Sequence, residues 1–103
     1  MNSKTYRIYN TTEYEEWLDG QPARSQVQIL GRLSLIQDNG HFGDHKNVED
    51  EVWELKWKNG RRIYYAYIAE KKILLLLGGN KNGQDKDIRQ AEKILYKYVA
   101  FEE

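Results

Sequence analysis

The chain has no cysteine among its 103 residues. A disulfide framework and thiolate zinc sites are therefore excluded. It has no long apolar run either. The longest, Ile63 to Ala69, and the aliphatic run Ile73 to Leu77 are far short of the roughly 20 residues a helix needs to cross a bilayer. Residues Met1 to Tyr6 lack the apolar stretch of a secretion signal, so a soluble cytoplasmic protein with no membrane partner is expected. Two histidines and scattered carboxylates make no metal-binding spacing. Gly78, Gly79 and Gly83 are not followed by the Gly-Lys-Ser/Thr of a phosphate-binding loop. No metal and no small-molecule cofactor is expected. Net charge is also missing: 16 Lys/Arg balance 16 Asp/Glu.

What is present is unevenly spread. Residues 1–55 have a net charge of −5 and residues 56–97 a net charge of +7. A basic half can bind phosphates if it forms one surface, although a solvated face of ordinary lysines accounts for the same numbers. The hydrophobic share, 40%, with 13% aromatics, suffices for one modest core, and the length predicts a single domain over 1–103.

Local patterns give an element order. Thr5 to Tyr9 reads as a short strand. Asn10, Thr11 or Thr12 can cap a helix in which Tyr14, Trp17 and Leu18 form one stripe. Asp19-Gly20-Gln21 ends it, and Pro22 can occupy the first position of the next. There Ala23, Val27 and Leu30 share a face that Ile29, Leu33 and Ile36 widen, so the helix is expected to pack on two sides. Gln37 to Glu49 reads as a polar loop. Val52 to Lys58 alternates, with Trp53, Leu55 and Trp57 against Glu54, Lys56 and Lys58. Asn59-Gly60 is a strong hairpin signal, Arg61 to Ala69 the return strand, and Ile73 to Leu77 a central strand. A flexible glycine-bearing turn should carry Lys81. Asp85 to Tyr98 closes the chain as a helix, buried through Ile88, Ala91, Leu95 and Tyr98. The order β-α-α-β-β-β-α predicts an α+β domain with a small, mainly antiparallel sheet.

The tryptophan face should pack on the helices, which turns Glu54 and Lys56 outward. Arg61 and Arg62 arrive on the next strand and Lys81 after the one beyond, so basic groups can meet on one surface. RNA cleavage needs little more: an oriented ribose 2′-hydroxyl, removal of its proton, and stabilised charge on the phosphate. Arginine suits the phosphate through its fork, and a lysine among other cations can act as base. His41 and His45 lie in the loop, where a histidine can titrate near neutrality or remain a solvated bystander. Tyr64, Tyr65 and Tyr67 can stack bases or fill the core, and two of the three are expected in the core. Gln84 and Asp87 read most simply as helix-start residues.

Three segments carry a resemblance: Trp53-Glu54-Leu55-Lys56, Arg61-Arg62-Ile63-Tyr64-Tyr65, and Gly78-Gly79-Asn80-Lys81-Asn82-Gly83-Gln84 with the acidic helix start that follows. Over roughly residues 4–98 the chain resembles the RelE/ParE toxin superfamily, and within it the HigB-like addiction module killer branch. The resemblance implies a RelE-like fold and the toxin of a type II toxin–antitoxin system. It implies a metal-independent endoribonuclease acting on mRNA at the ribosome, with a cognate antitoxin protein as partner. That antitoxin is expected to supply an acidic or amphipathic segment. Lys56, Arg62, Lys81 and Glu54 match the family's catalytic positions, while Lys46, Lys58, Arg61 and His45 are candidates for RNA binding. Lys56 stands where arginine is commoner in that branch, and Gly60-Arg61-Arg62 replaces its Gly-Tyr-Arg. ParE-type relatives imply an alternative, non-enzymatic inhibition of DNA gyrase, and a degenerate member would only bind its antitoxin.

The hairpin leaves one ambiguity. A two-residue Asn59-Gly60 turn pairs Lys58 with Arg61 and places Arg61 on the Glu54/Lys56 face. One extra residue reverses the facing and brings Arg62 there instead. The family match favours Arg62, which could otherwise cover Trp57 through a cation–π contact.

Overall fold

The computed structural model describes residues 5–102. Its elements run β1 (Arg7–Asn10), α1 (Thr12–Asp19), α2 (Ala23–Asn39), β2 (His45–Glu49), β3 (Val52–Lys56), β4 (Arg61–Ala69), β5 (Lys72–Asn80), a single 3₁₀ turn (Lys81–Gly83) and α3 (Gln84–Glu102). The sheet order is β1-β5-β4-β3-β2. β1 lies parallel to β5 and every other pairing is antiparallel. This is the expected α+β architecture with one strand more than expected.

Both faces of the sheet are covered. On one, Leu55, Ile63, Tyr65, Ile73 and Leu75 pack against Tyr14 of α1 and Ile29, Leu33 and Ile36 of α2. On the other, Val52, Tyr64, Ala66, Leu74 and Leu76 pack against Ala91, Ile94 and Leu95 of α3. Residues alternate between faces along a strand, so β4, buried from Arg61 to Ala66, feeds both cores at once.

The caps follow local chemistry. Thr11 is the N-cap of α1: its Oγ1 accepts from Tyr14 N at 3.0 Å and faces the Leu75 carbonyl at 2.9 Å. The hydroxyl thus joins the helix start to β5. Gly40 ends α2 in the left-handed region (φ 67°), with its N–H donated to the Ile36 carbonyl. Pro22 is the N-cap of α2 rather than its first residue.

Three expectations are corrected. The polar stretch Gln37–Glu49 is not all loop, because α2 continues to Asn39 and His45–Glu49 forms β2 at the sheet edge. An edge strand can be polar on much of its surface, so it lacks an apolar alternation. Nor is α2 packed on two sides: Val27 is 70% exposed, and Leu30 and Leu35 are exposed too. Gly78-Gly79-Asn80 is not a flexible turn. These residues extend β5, and the Asn80 side chain accepts from Asn82 N at 2.9 Å to start the 3₁₀ turn.

Candidate functional site

The hairpin decides which arginine meets Glu54. The Gly60 N–H donates to the Trp57 carbonyl at 3.1 Å, the Trp57 N–H to the Arg61 carbonyl at 3.0 Å, and Lys56 pairs with Arg62. The loop is therefore Lys58-Asn59-Gly60, with Gly60 at φ 100°. It is the three-residue type that ends in a left-handed glycine bulge, not a two-residue turn. Arg62 consequently shares the face of Glu54 and Lys56, and Arg61 shares the face of the tryptophans. Arg61 lies 5.4 Å over the Trp57 ring and reaches Gln28 Oε1 at 3.4 Å. Trp57 is covered by Arg61 and Arg32, not by Arg62.

The face of Glu54 is not solvent, contrary to expectation. The start of α3 covers it, and Glu54 is 0% and Arg62 7% exposed. Glu54 Oε1 stands 3.0 Å from Arg62 Nε as an ion pair. Gln84, at the first position of α3, donates Nε2 to Glu54 Oε2 at 2.9 Å. The Tyr64 hydroxyl is buried beside them without a hydrogen-bond partner. Burial, Glu54 and Asp87 hold this phenol well above its ordinary range. The chain has placed two charges in a nearly dry site, where each depends on the other.

Asp87 is the member that sequence reasoning undervalued. Its carboxylate lies over Gly79, where a Cβ would come within 2.1 Å of Oδ2. Burial raises its carboxyl above the ordinary range. Gln84 and Asp87 are three apart on one helix, so both look down onto the sheet. That spacing after a Gly-Gly strand end was the available signal.

The other candidates divide by face and exposure. Lys46 of β2 is exposed and stands opposite Glu54 in the β2–β3 ladder. Lys56 is half-buried beside Arg62. Lys58 is exposed in the loop. Lys81 is exposed, and its aliphatic stem passes Gly60 at the distance of an ordinary contact, 3.5 Å from a Cβ built there. Lys56 and Arg62 are thus neighbours across one ladder and Lys81 leans on the same hairpin, while the arginine is capped by Glu54.

His45 is elsewhere. Its partner on β3 is Leu55, on the tryptophan face. Its ring stacks on Phe42 at 4.8 Å, and its Nδ1 shares a hydrogen bond with the Tyr65 hydroxyl at 3.0 Å. Burial and the nearby Arg32 lower its basicity, partly offset by Asp44. It is an aromatic-cluster residue facing away from Glu54. His41 is exposed. Tyr64 and Tyr65 are core residues on opposite faces, and Tyr67 is half-buried.

Arg32 also went unnoticed, because one arginine in a helix has no pattern. It donates to the carbonyls of Phe42 (2.9 Å), Asp44 (2.8 Å) and Lys56 (2.6 Å) and lies 4.3 Å over Trp57. It fastens α2 to the entry of β2 and the exit of β3. Among the described residues, no group of three or more histidine or carboxylate side chains is placed to hold a metal ion. No helix among them is long and apolar enough to cross a membrane.

Residues 16–98 match the model of the family described as Phage derived protein Gp49-like (DUF891). The chain belongs to the Gp49-like family. An uncharacterized protein of Haemophilus influenzae is 36% identical over 91 residues, which cover 85% of this chain and 91% of that one. Among solved structures, the fold is similar to RelE in the archaeal RelE–RelB complex of Pyrococcus horikoshii (TM-score 0.62, 15% identity, 75% of this chain and 96% of that one). It is also similar to a chain of the toxin–antitoxin complex RelBE2 of Mycobacterium tuberculosis (TM-score 0.59, 15% identity, 74% and 98%). A third is the intact RelBE toxin–antitoxin complex of E. coli (TM-score 0.59, 14% identity, 74% and 96%). At these identities the likeness establishes a RelE-like fold for this Gp49-like chain.

Proposed function

We propose that this protein is the toxin of a type II toxin–antitoxin pair, a HigB-like endoribonuclease that cleaves mRNA on the ribosome and is silenced by its cognate antitoxin. The observation that carries this reading is the Lys56–Arg62 cross-strand pair, with Lys81 against the same hairpin, on a RelE-like sheet. The structural neighbours named above are toxin–antitoxin complexes.

In this reading a phosphate of the RNA replaces Glu54 as the partner of Arg62. Adjacent strands lie about 5 Å apart, so Lys56 and Arg62 can address one phosphate, and Lys81 supports it from the hairpin. Lys46 and Lys58 extend the contact to flanking phosphates. With Arg62 so engaged, the start of α3 must also lift from Glu54 and release Gln84 before the carboxylate can take the 2′-hydroxyl proton. The 2′-oxygen attacks phosphorus, the bond to the 5′-oxygen breaks, and that oxygen is protonated as it leaves. The products are a 2′,3′-cyclic phosphate and a 5′-hydroxyl end. Stabilising the phosphate charge is the principal task of the cations.

Lys56→Ala and Lys81→Ala test the reading without disturbing a buried pair. Each is expected to relieve growth arrest on induction and to slow cleavage of ribosome-bound mRNA about a hundredfold or more. Folded variants with undiminished cleavage would sink it. One observation favours a second reading: Arg62 is already neutralised by Glu54, as suits a protein that only binds. A ParE-like inhibitor of DNA gyrase would alter plasmid supercoiling on induction before translation falls.

A further inference from the structure

The end of the sheet opposite the hairpin holds a groove of about 840 Å³. Its floor is Ile68 and Leu74, and the C-terminal half of α3 forms one wall through Leu95, Tyr96 and Val99. Tyr96 is 67% exposed, and Val99, Ile68 and Tyr9 around the same opening are exposed as well. Large apolar groups gathered at one opening mark an interaction surface more than scattered ones do.

The second observation is charge. Asp50, Glu51 and Glu92 line the groove, and Lys72 is the one cation in its lining. Asp50 is held at φ 44° in the turn between β2 and β3, which points an acidic tripeptide, Glu49-Asp50-Glu51, toward Glu92. Burial and the neighbouring Glu49 and Asp50 raise the Glu92 carboxyl above its ordinary range. No lysine or arginine forms an ion pair with these four carboxylates among the described residues, and they do not converge as metal ligands. The wall is therefore a crowded set of like charges beside an apolar floor.

We propose that this groove is the docking surface for an amphipathic helix of a partner protein, apolar on one face and carrying lysine or arginine along its flank. The groove runs from Tyr9 on β1 across β5 and β4 to the β2–β3 turn. That span is about 15 Å at the usual strand spacing, the length of a helix of about 10 residues. The apolar face of such a helix fills the floor, and its cations relieve the acidic wall. The inference rests on the toxin reading only for the partner's identity, the antitoxin. It gives that partner a basic contact at the acidic end instead of an acidic contact at the basic end.

The test uses the full chain and two labelled helical peptides of about 12 residues. Both have leucines at i, i+3, i+4 and i+7; one is flanked by lysines, the other by glutamates. The lysine peptide is expected to bind at least tenfold more tightly, with amide shifts confined to α3, β4 and the β2–β3 turn. Glu92→Lys combined with Asp50→Lys should reverse the preference, and Tyr96→Asp should weaken both peptides. Glu15→Lys on α1 is a control that should change nothing. The proposal is overturned if the charge-reversed chain keeps its preference for the lysine peptide or if the shifts fall elsewhere. It is also overturned if the peptide competes with self-association, which would make a second copy the occupant. Peptide binding by a chain that neither arrests growth nor cleaves RNA would leave the groove intact and refute only the toxin reading. Growth arrest without peptide binding would do the reverse.

Discussion

Arg62 and Glu54 hold each other in place, so neither can be removed cleanly. Taking away one member of a buried pair leaves the other charge stranded, at a cost of about 3–5 kcal/mol. That is a large share of a small domain's stability. Arg62→Ala is therefore expected to destabilise the protein, and a loss of the proposed toxicity in that variant alone says little about catalysis. A denaturation cycle with Glu54→Gln, Arg62→Gln and the double variant checks this. The double variant should be at least about 1 kcal/mol more stable than the sum of the singles predicts. Simple additivity would show that the pair is not coupled. The two glycines of β5 give a second contrast. A Cβ on Gly78 meets the Trp17 ring at 2.1 Å, while one on Gly79 meets the end of the Asp87 side chain at 2.1 Å. An indole packed in the core cannot retreat and a carboxylate can. Gly78→Ala should cost more than about 3 kcal/mol, and Gly79→Ala clearly less. Thermal denaturation ranks them, and equal losses would contradict the packing argument.

At the scale of elements, His45 makes β2 sensitive to pH. Its basicity is lowered in the folded state, so the unfolded chain binds the proton more readily. Stability should then fall as pH drops below the ordinary histidine value of about 6.5. His45→Gln should remove that part of the decline. Asp87 and Glu92, whose carboxyls are raised, act in the opposite direction at lower pH, so the difference between the two proteins is the quantity to measure from pH 7 to 5. Identical profiles would show that the ring remains free to titrate. The same strand shows where sequence reading stops. The α1 cap region, the Trp53/Leu55 alternation, the helical hairpin and α3 were legible because apolar period and cap chemistry are local. Pro22, by contrast, was placed one position too far into α2, and the Gly40 end of α2 fell inside the expected loop. β2 was not, since an edge strand gains its stability from pairing with β3 and needs few apolar residues. Asn59-Gly60 fits either turn length, so the bulged hairpin with Arg62 beside Glu54 was favoured only through the family resemblance of Arg61-Arg62-Ile63-Tyr64-Tyr65. The outward face assigned to Glu54 failed for a tertiary reason: α3 returns over it, and no local pattern says which face a distant helix will cover.

On the scale of the whole molecule, the zero net charge conceals two poles. Lys46, Lys56, Lys58 and Lys81 gather toward the hairpin end, and Glu49, Asp50, Glu51 and Glu92 toward the other. Under the proposed function, association with ribosomes or RNA runs through the first pole and should weaken steeply with salt. A loss of about tenfold or more is expected between 50 and 200 mM, measurable by cosedimentation. A salt-independent interaction would show that the contact is not made through phosphates. α3 joins the poles. Its start donates Gln84 to Glu54, and its end is tied to α1 by the Lys97–Glu13 pair and by the Tyr98 hydroxyl at 3.1 Å from Thr12 N.

The pairing of β1 with β5 also bears on how the protein is made. Arg7 lies beside Lys72 and Asn10 beside Leu75, so the first strand to leave the ribosome must wait for one of the last. Thr11 likewise finds its carbonyl partners only on β5. The α2-side core includes Ile73 and Leu75 of β5, so that core and the sheet alike close only once most of the chain has been translated. A nascent chain therefore has no assembled Lys56–Arg62–Lys81 surface, and whatever that surface binds cannot be engaged until synthesis is nearly complete.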